Sequence, residues 1–483
     1  MKLLSHLYIV LVAVVEEVSP DQWNCAYEGC ECYRGGIDCQ GRNWKTLPKL
    51  LGYQTEESPS LNLQNNLLTA IGAGSLPSGL SGINFQNNPL TFIDPTAFDG
   101  SADSLRQLEF TGALFTQIPT ALAHLTTLMS LSIEDTHISV WDDDTMKHLG
   151  PTVLYLTLNN VSLASWPGWI QYYTNLQRLE MTSTFTSIPN NAFDSQANSL
   201  NTLQLVNGVL SEIPPISSLS VLTSLVLDYN NITKLTALPS YGKLSSISIQ
   251  YNNLSNATHL SHVFKSVSAS LTYIQAEGNK LTTFPDLSFM TKLQTVYLSH
   301  NLIADTTSGG ISSSLTFLEA ENNNIRSLSG FLKGGINLQY LRLGMNFIAS
   351  LSGNDIPANI NELEMSKNLI YELTDTSFPT RTLMDALTLD YNPIFKISPS
   401  SFTGLTNLRT LSLKGTKLTR LPVALRSLTG LYTLDMSENS DLVCTCLDKQ
   451  LRSWYLNNSL SSFGECGPTT IDYFLNTLSV SCP

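Results

Sequence analysis

The residues of this 483-residue chain best suited to covalent chemistry are eight cysteines and five Asn-x-Ser/Thr sequons. Cys25, Cys30, Cys32 and Cys39 lie near one end, Cys444, Cys446, Cys466 and Cys482 near the other, with none between. Two even-numbered clusters behind an apolar leader read as disulfides rather than zinc ligands. Each cluster allows three pairings, and spacing does not choose among them. Cys30 with Cys32, or Cys444 with Cys446, is disfavoured, because residues two apart would have to bend sharply to meet. The sequons, at Asn160, Asn231, Asn253, Asn256 and Asn457, are possible sugar attachment points on an exported chain. Enzyme chemistry is absent from the sequence: there is no Gly-x-Ser-x-Gly elbow and no phosphate-binding Gly-x4-Gly-Lys loop, so no enzyme and no cofactor is expected. His259 and His262 lack a third ligand and read as a surface loop, leaving no metal site. Asp142, Asp143 and Asp144 read as a solvated loop, with a weak calcium site as the alternative reading, and Gly72 to Gly74 as a turn.

What positions these residues is a repeat. In Leu222 to Ile232, LTSLVLDYNNI, the residues Leu222, Leu225, Leu227, Asn230 and Ile232 occupy positions 1, 4, 6, 9 and 11. Positions 4 and 6 share one face of a short strand, and the asparagine amide can both donate to and accept from neighbouring backbone. Copies start at Ser58, Leu80, Leu105, Leu128, Val153, Leu176, Leu200, Leu222, Leu244, Leu271, Leu293, Leu315, Leu338, Ile360, Met384, Leu408 and Leu431, 22 to 27 residues apart. That period is the leucine-rich repeat's. The expectation is an α/β repeat solenoid, a horseshoe with a parallel β-sheet on its concave face. Pieces such as Ile93-x4-Phe98, Ile188-Pro189-x3-Phe193 and Ile397-x4-Phe402 predict an irregular convex side with a phenylalanine packed inward. The ninth position loses its asparagine at Ala113, Thr136, Val161, Thr184, Gly208 and Thr416; five of these are consecutive. Altered curvature or a mobile zone is expected there, unless threonine and water satisfy the same backbone groups.

Charged residues make up 13% of the chain, 26 basic against 39 acidic, for a net charge of −13. This excludes a nucleic-acid partner, which needs clustered cations, and favours a basic or neutral ligand. Lys2 and the apolar run Leu3 to Val15 read as a signal peptide, with cleavage between Ala13 and Asp21. No later stretch is apolar enough to span a membrane. The predicted organisation is a leader over 1–19, a cysteine-rich cap over 20–57, repeats over 58–440 and a second cap over 441–483.

Cys25-x4-Cys30-x-Cys32-x6-Cys39 before Leu47-Pro48, and Cys444-Thr445-Cys446 with Leu451, Trp454, Cys466 and Cys482, resemble the caps of extracellular leucine-rich-repeat proteins. Slit, the small leucine-rich proteoglycans, Toll-like receptor ectodomains and variable lymphocyte receptors are of this type. Thr445 stands where the family usually has an acidic residue. The resemblance implies bridges Cys25–Cys32, Cys30–Cys39, Cys444–Cys466 and Cys446–Cys482, and a secreted or cell-surface location.

On the concave face the variable positions 3, 5, 7 and 8 point outward. Repeats eight to thirteen place Tyr229, Tyr251, Tyr273, Tyr297, Phe317 and Tyr340 there, with Asp228, Glu277, Glu319 and Glu321 beside them and Glu362 and Glu364 next. Aromatic anchors among acidic neighbours suit a protein or glycan ligand of basic character, although aromatics also simply suit a sheet surface. The function expected is that of a receptor ectodomain or soluble binder; the alternative is a secreted inhibitor of an extracellular enzyme.

Overall fold

The computed structural model describes residues 25–51, 58–182 and 185–482; the leader read from the sequence and Thr184 lie outside the described residues. The chain forms two compact units, Met1–Val153 and Leu154–Pro483. The first holds four repeat strands, Ser60–Asn62, Gly82–Asn84, Gln107–Thr111 and Ser130–Glu134, paired in parallel and in sequence order. The second holds thirteen more, from Tyr155–Asn159 to Thr433–Asp435, likewise parallel. Each of the seventeen begins at the third position of its repeat, so both units are leucine-rich-repeat solenoids.

The strands form because positions 4 and 6 are apolar and alternate with polar residues. Leu225 and Leu227 are buried, as are their counterparts in every turn. On the opposite side the chain returns through short 3-10 turns such as Asp99–Ser101 and Val423–Ser427, and Phe98, Phe193 and Phe402 pack inward. Asp142 to Asp144 are not a loop: Asp142 accepts from the Thr145 amide at 2.9 Å and caps the helix Asp143–Leu149, whose positive end favours acidic residues. His259 and His262 likewise sit on a helix, Ala257–Phe264, rather than in a loop. His259 Nε2 bonds the Leu235 carbonyl at 2.6 Å.

Turn is joined to turn by the ninth-position asparagines. Asn230 Nδ2 donates to Leu205 O of the preceding repeat at 2.8 Å and to Leu227 O of its own at 3.1 Å, while its Oδ1 accepts from the Leu210 amide at 3.2 Å. Asn252, Asn279, Asn301, Asn323, Asn346, Asn368 and Asn392 repeat that pattern. Where five consecutive repeats lack the asparagine, the strands run five residues rather than three. Thus Phe110 pairs with Ile133 and Thr111 with Glu134, so backbone continues where carboxamides would otherwise bond. Thr136 turns its hydroxyl to its own Glu134 carbonyl at 2.9 Å. The isolated loss at Thr416 leaves a three-residue strand, since Thr416 Oγ1 donates to Asn439 Oδ1 at 2.6 Å. The division between the two units falls inside the five-repeat zone.

The ends are covered. Gly36–Asp38, one arm of a hairpin with Glu31–Tyr33, pairs with the first repeat strand, and Ser461–Phe463 with the last. Trp454 is buried at the second end, its Nε1 donating to Leu428 O at 2.8 Å. Disulfides join Cys25–Cys32, Cys30–Cys39, Cys444–Cys466 and Cys446–Cys482, the pairs implied by the family resemblance. The Thr445 departure is accommodated: its amide donates to Asp448, which pairs with Arg420 at 2.9 Å.

Replacing Asn230 by Leu should lower unfolding stability by about 2 kcal/mol or more, since each orphaned buried backbone group costs about 1–3 kcal/mol; an unchanged denaturation midpoint would show the carboxamide to be dispensable. Mass analysis of the unreduced protein after alkylation should find no free thiol among the eight cysteines. Reduction should destabilise each cap by about 2–4 kcal/mol per bridge, and alkylated cysteine in the folded protein would contradict the assignment.

Candidate ligand-binding face

Four of the six aromatics converge into one row. Tyr273 meets Tyr297 with ring centroids 5.7 Å apart, Tyr297 meets Phe317 at 5.1 Å, and Phe317 meets Tyr340 at 6.3 Å. They stand at positions three and five of adjacent strands, where outward side chains of neighbours lie close enough to touch. All four are half-buried by one another rather than freely exposed. Tyr229 and Tyr251, at position eight, form a separate pair, stacked at 4.6 Å. Position eight is a left-handed turn residue, φ 56° at Tyr229 and 50° at Tyr251, which carries these rings to the sheet's margin. The Tyr251 ring lies over Gly278, where a Cβ would fall 2.5 Å from it, so repeat ten needs its glycine.

The acidic residues divide in the same way. Asp228 accepts from Ser248 Oγ at 2.7 Å and from the Gln250 amide at 2.8 Å, and so ties two turns together. Glu319 accepts from Ser299 Oγ at 2.9 Å. Glu277 and Glu364 each keep one buried oxygen, Oε2, without a hydrogen-bond partner. Glu364 fits because Gly344 faces it, where a Cβ would come within 2.7 Å of Oε2. Burial, reinforced by the charges of Glu319 and Asp228, pushes the Glu277 carboxyl up to about 7. Burial, with Glu364 and Glu319 nearby, also raises Glu321, and burial with Tyr297 and Glu277 raises Tyr273 to about 12. Burial and mutual charge thus leave the carboxylates at the edge of the apolar row short of hydration.

Sequence reading missed Arg342, at position five of repeat thirteen. Its guanidinium pairs with Glu362 at 3.1 Å, reaches Glu319 at 4.0 Å and lies 5.6 Å from the Phe317 ring centre. It is one cation among five carboxylates, and reading the fifth-position column as a whole, rather than selecting its aromatics and acids, would have found it. A second cluster was also passed over: Tyr391 donates to Glu438 Oε2 at 2.9 Å, with the Lys367 and Lys414 ammonium groups 5.9 and 5.8 Å from its ring centre. Of the sequons, Asn160, Asn231, Asn256 and Asn457 are exposed and Asn253 is half-buried.

Fold and caps together define a leucine-rich-repeat protein closed by disulfides at both ends, and the resemblance to such capped proteins holds. The leucine rich repeat family matches residues 381–440. Podocan-like protein 1 of Mus musculus is 26% identical, the match covering 91% of this chain and 76% of that protein; its Homo sapiens counterpart is 27% identical, over 91% and 83%. Among solved structures, a leucine-rich-repeat protein of Leptospira interrogans aligns with a TM-score of 0.62 at 19% identity, covering 84% of this chain and 96% of that one, a likeness of fold alone.

Because Glu277 titrates in the folded chain about 7 against an ordinary 4.5, the native state binds more protons between those values. Its stabilising contribution at acid pH is lost as pH rises through 7. Wild type should therefore lose stability relative to Glu277→Gln between about pH 4.5 and pH 7 in denaturant titrations; parallel profiles would contradict the raised value.

Proposed function

We propose that this chain is an extracellular recognition protein, secreted or displayed at a cell surface, that binds a protein or glycan of basic character on the strands of repeats eight to thirteen. The observation that carries the reading is the unbroken ring row from Tyr273 to Tyr340, edged by Glu277, Glu319, Glu321 and Glu364. Rings that already pack on one another lose little freedom on binding, and aromatic anchors dominate interface energetics. The acidic residues along the edge of the row favour a ligand rich in donors, such as arginine or lysine side chains or an amino sugar. The disulfide caps, the exposed sequons and the podocan-like relatives support an extracellular setting. On this reading residues 1–19 are a leader, 20–57 and 441–483 are caps, and the acidic face turns away nucleic acids.

Affinity capture from extracellular fluid, followed by binding measurements on the captured partner, tests this. Replacing Tyr297 and Phe317 together by alanine should weaken capture by about 2 kcal/mol, roughly thirty-fold. Gln64→Ala with Gln86→Ala, on the first two repeat strands, should leave it unchanged. Loss of capture in the glutamine pair and not in the aromatic pair would move the site to the N-terminal unit.

A further inference from the structure

A different surface of the second unit is left apolar. Positions ten and twelve follow the asparagine turn and line one flank of the stack, where they too are in register. The Phe347 amide donates to Ile325 O at 2.8 Å, Leu369 to Ile348 O at 2.9 Å, and Lys417 to Ile394 O at 2.9 Å; at position twelve the Phe395 amide donates to Tyr371 O at 3.0 Å. In repeats eight and nine the tenth position carries the sequon residues Asn231 and Asn253, so this flank is one that sugars could reach. In repeats thirteen to fifteen it carries Phe347 and Leu369, 46% and 48% exposed, beside Tyr371 and Phe395, 46% and 59% exposed. The last two rings stack with centroids 6.3 Å apart. Single apolar residues at position ten recur elsewhere, as at Leu302, but here two neighbouring rows are apolar together. Contiguous exposed patches of this kind mark interaction sites.

The charges around the patch have the opposite sign to the rest of the molecule. Arg326 at position twelve of repeat twelve and Lys417 at position ten of repeat sixteen stand at its two ends, and Lys367 at its side. All three are exposed, and none is in an ion pair within the described residues. The nearby acid Glu372 is already taken by Lys396 at 3.5 Å. In a chain of net charge −13, an apolar patch with Arg326 and Lys417 outside any ion pair at its ends, and with Lys367 held only over the Tyr391 ring, selects an anionic occupant. Its four large side chains offer no partner to a uniformly hydrated polyanion and favour an occupant with apolar groups of its own. We propose that this flank docks an acidic polypeptide segment carrying aromatic or aliphatic side chains, which seat on Phe347, Leu369, Tyr371 and Phe395 while its carboxylates meet Arg326, Lys367 and Lys417.

The probe is a fluorescein-labelled random copolymer of glutamate and tyrosine, titrated with the full chain and followed by anisotropy, with polyglutamate and heparin as comparisons. The copolymer should bind at least ten-fold more tightly than polyglutamate. Phe347→Ser with Phe395→Ser, whose side chains face solvent, should reduce that binding at least ten-fold with the melting midpoint unchanged. If that pair is misfolded, Lys367→Glu with Lys417→Glu supplies the same test. A sugar introduced by Leu369→Asn with Tyr371→Thr should abolish binding, whereas Tyr297→Ala with Phe317→Ala should not affect it, which separates this flank from the proposed ligand face. Binding that ignores the flank variants, or that is as tight for heparin as for the copolymer, overturns the proposal. So does concentration-dependent dimerisation lost in the Phe347→Ser, Phe395→Ser pair, which would make the flank a contact between copies.

Discussion

One side chain used repeatedly, the carboxamide at position nine, governs the local geometry of the stack. A repeat of 22 to 27 residues cannot bury its own apolar face and must be held against its neighbours at fixed spacing. An asparagine does this with both ends of its amide. Oδ1 takes an amide and Nδ2 a carbonyl of the preceding turn, in positions too deep for water, as Asn323 does with Ile303 N and Leu298 O at 3.0 Å each. Each such bond is modest in net worth, but leaving its partners unmade is expensive. The asparagine therefore sets where a strand stops as well as how turns are spaced, which is why strands lengthen across repeats three to seven.

The aromatic row depends on that regularity. Tyr273, Tyr297, Phe317 and Tyr340 come from four turns that all keep their asparagine, so their strands hold three residues each and present the same outward positions. Neighbouring rings can then touch along the stack. The flank bearing Phe347 and Phe395 depends on the same register one step further along the turn, where position-ten and position-twelve amides bond the preceding repeat. One scaffold thus carries an acidic aromatic face and an apolar flank bordered by cations within a few repeats of each other.

Much of this was legible in the sequence, because periodicity is a backbone property that side-chain spacing reports directly. All seventeen strands begin where the leucine pattern places them, and Phe98, Phe193 and Phe402 turn inward as their spacing from the preceding isoleucine implies. What the sequence did not convey was how side chains from different turns combine. Asp228 reads as a free acid but is consumed by Ser248 and Gln250 one turn on. Arg342 carries no signal in the sequence that it stands between two glutamates. Tyr229 and Tyr251 read as outward-facing residues like those of the row, yet the left-handed backbone at position eight sets them apart. The acidic triplet at Asp142 reads as a loop because its helix is only seven residues long, too short to show a periodicity.

Native-state hydrogen exchange of the full chain, read amide by amide, tests the central claim most directly. Position-eleven amides bonded to an asparagine Oδ1, those of Ile232, Ile303, Ile325, Ile348 and Ile370, should exchange only through unfolding of the stack and rank among the slowest. The Ile138 amide, which bonds its own Thr136 carbonyl in a repeat without the asparagine, should exchange markedly faster. Equal rates at Ile138 and at the asparagine-bonded positions would contradict the account.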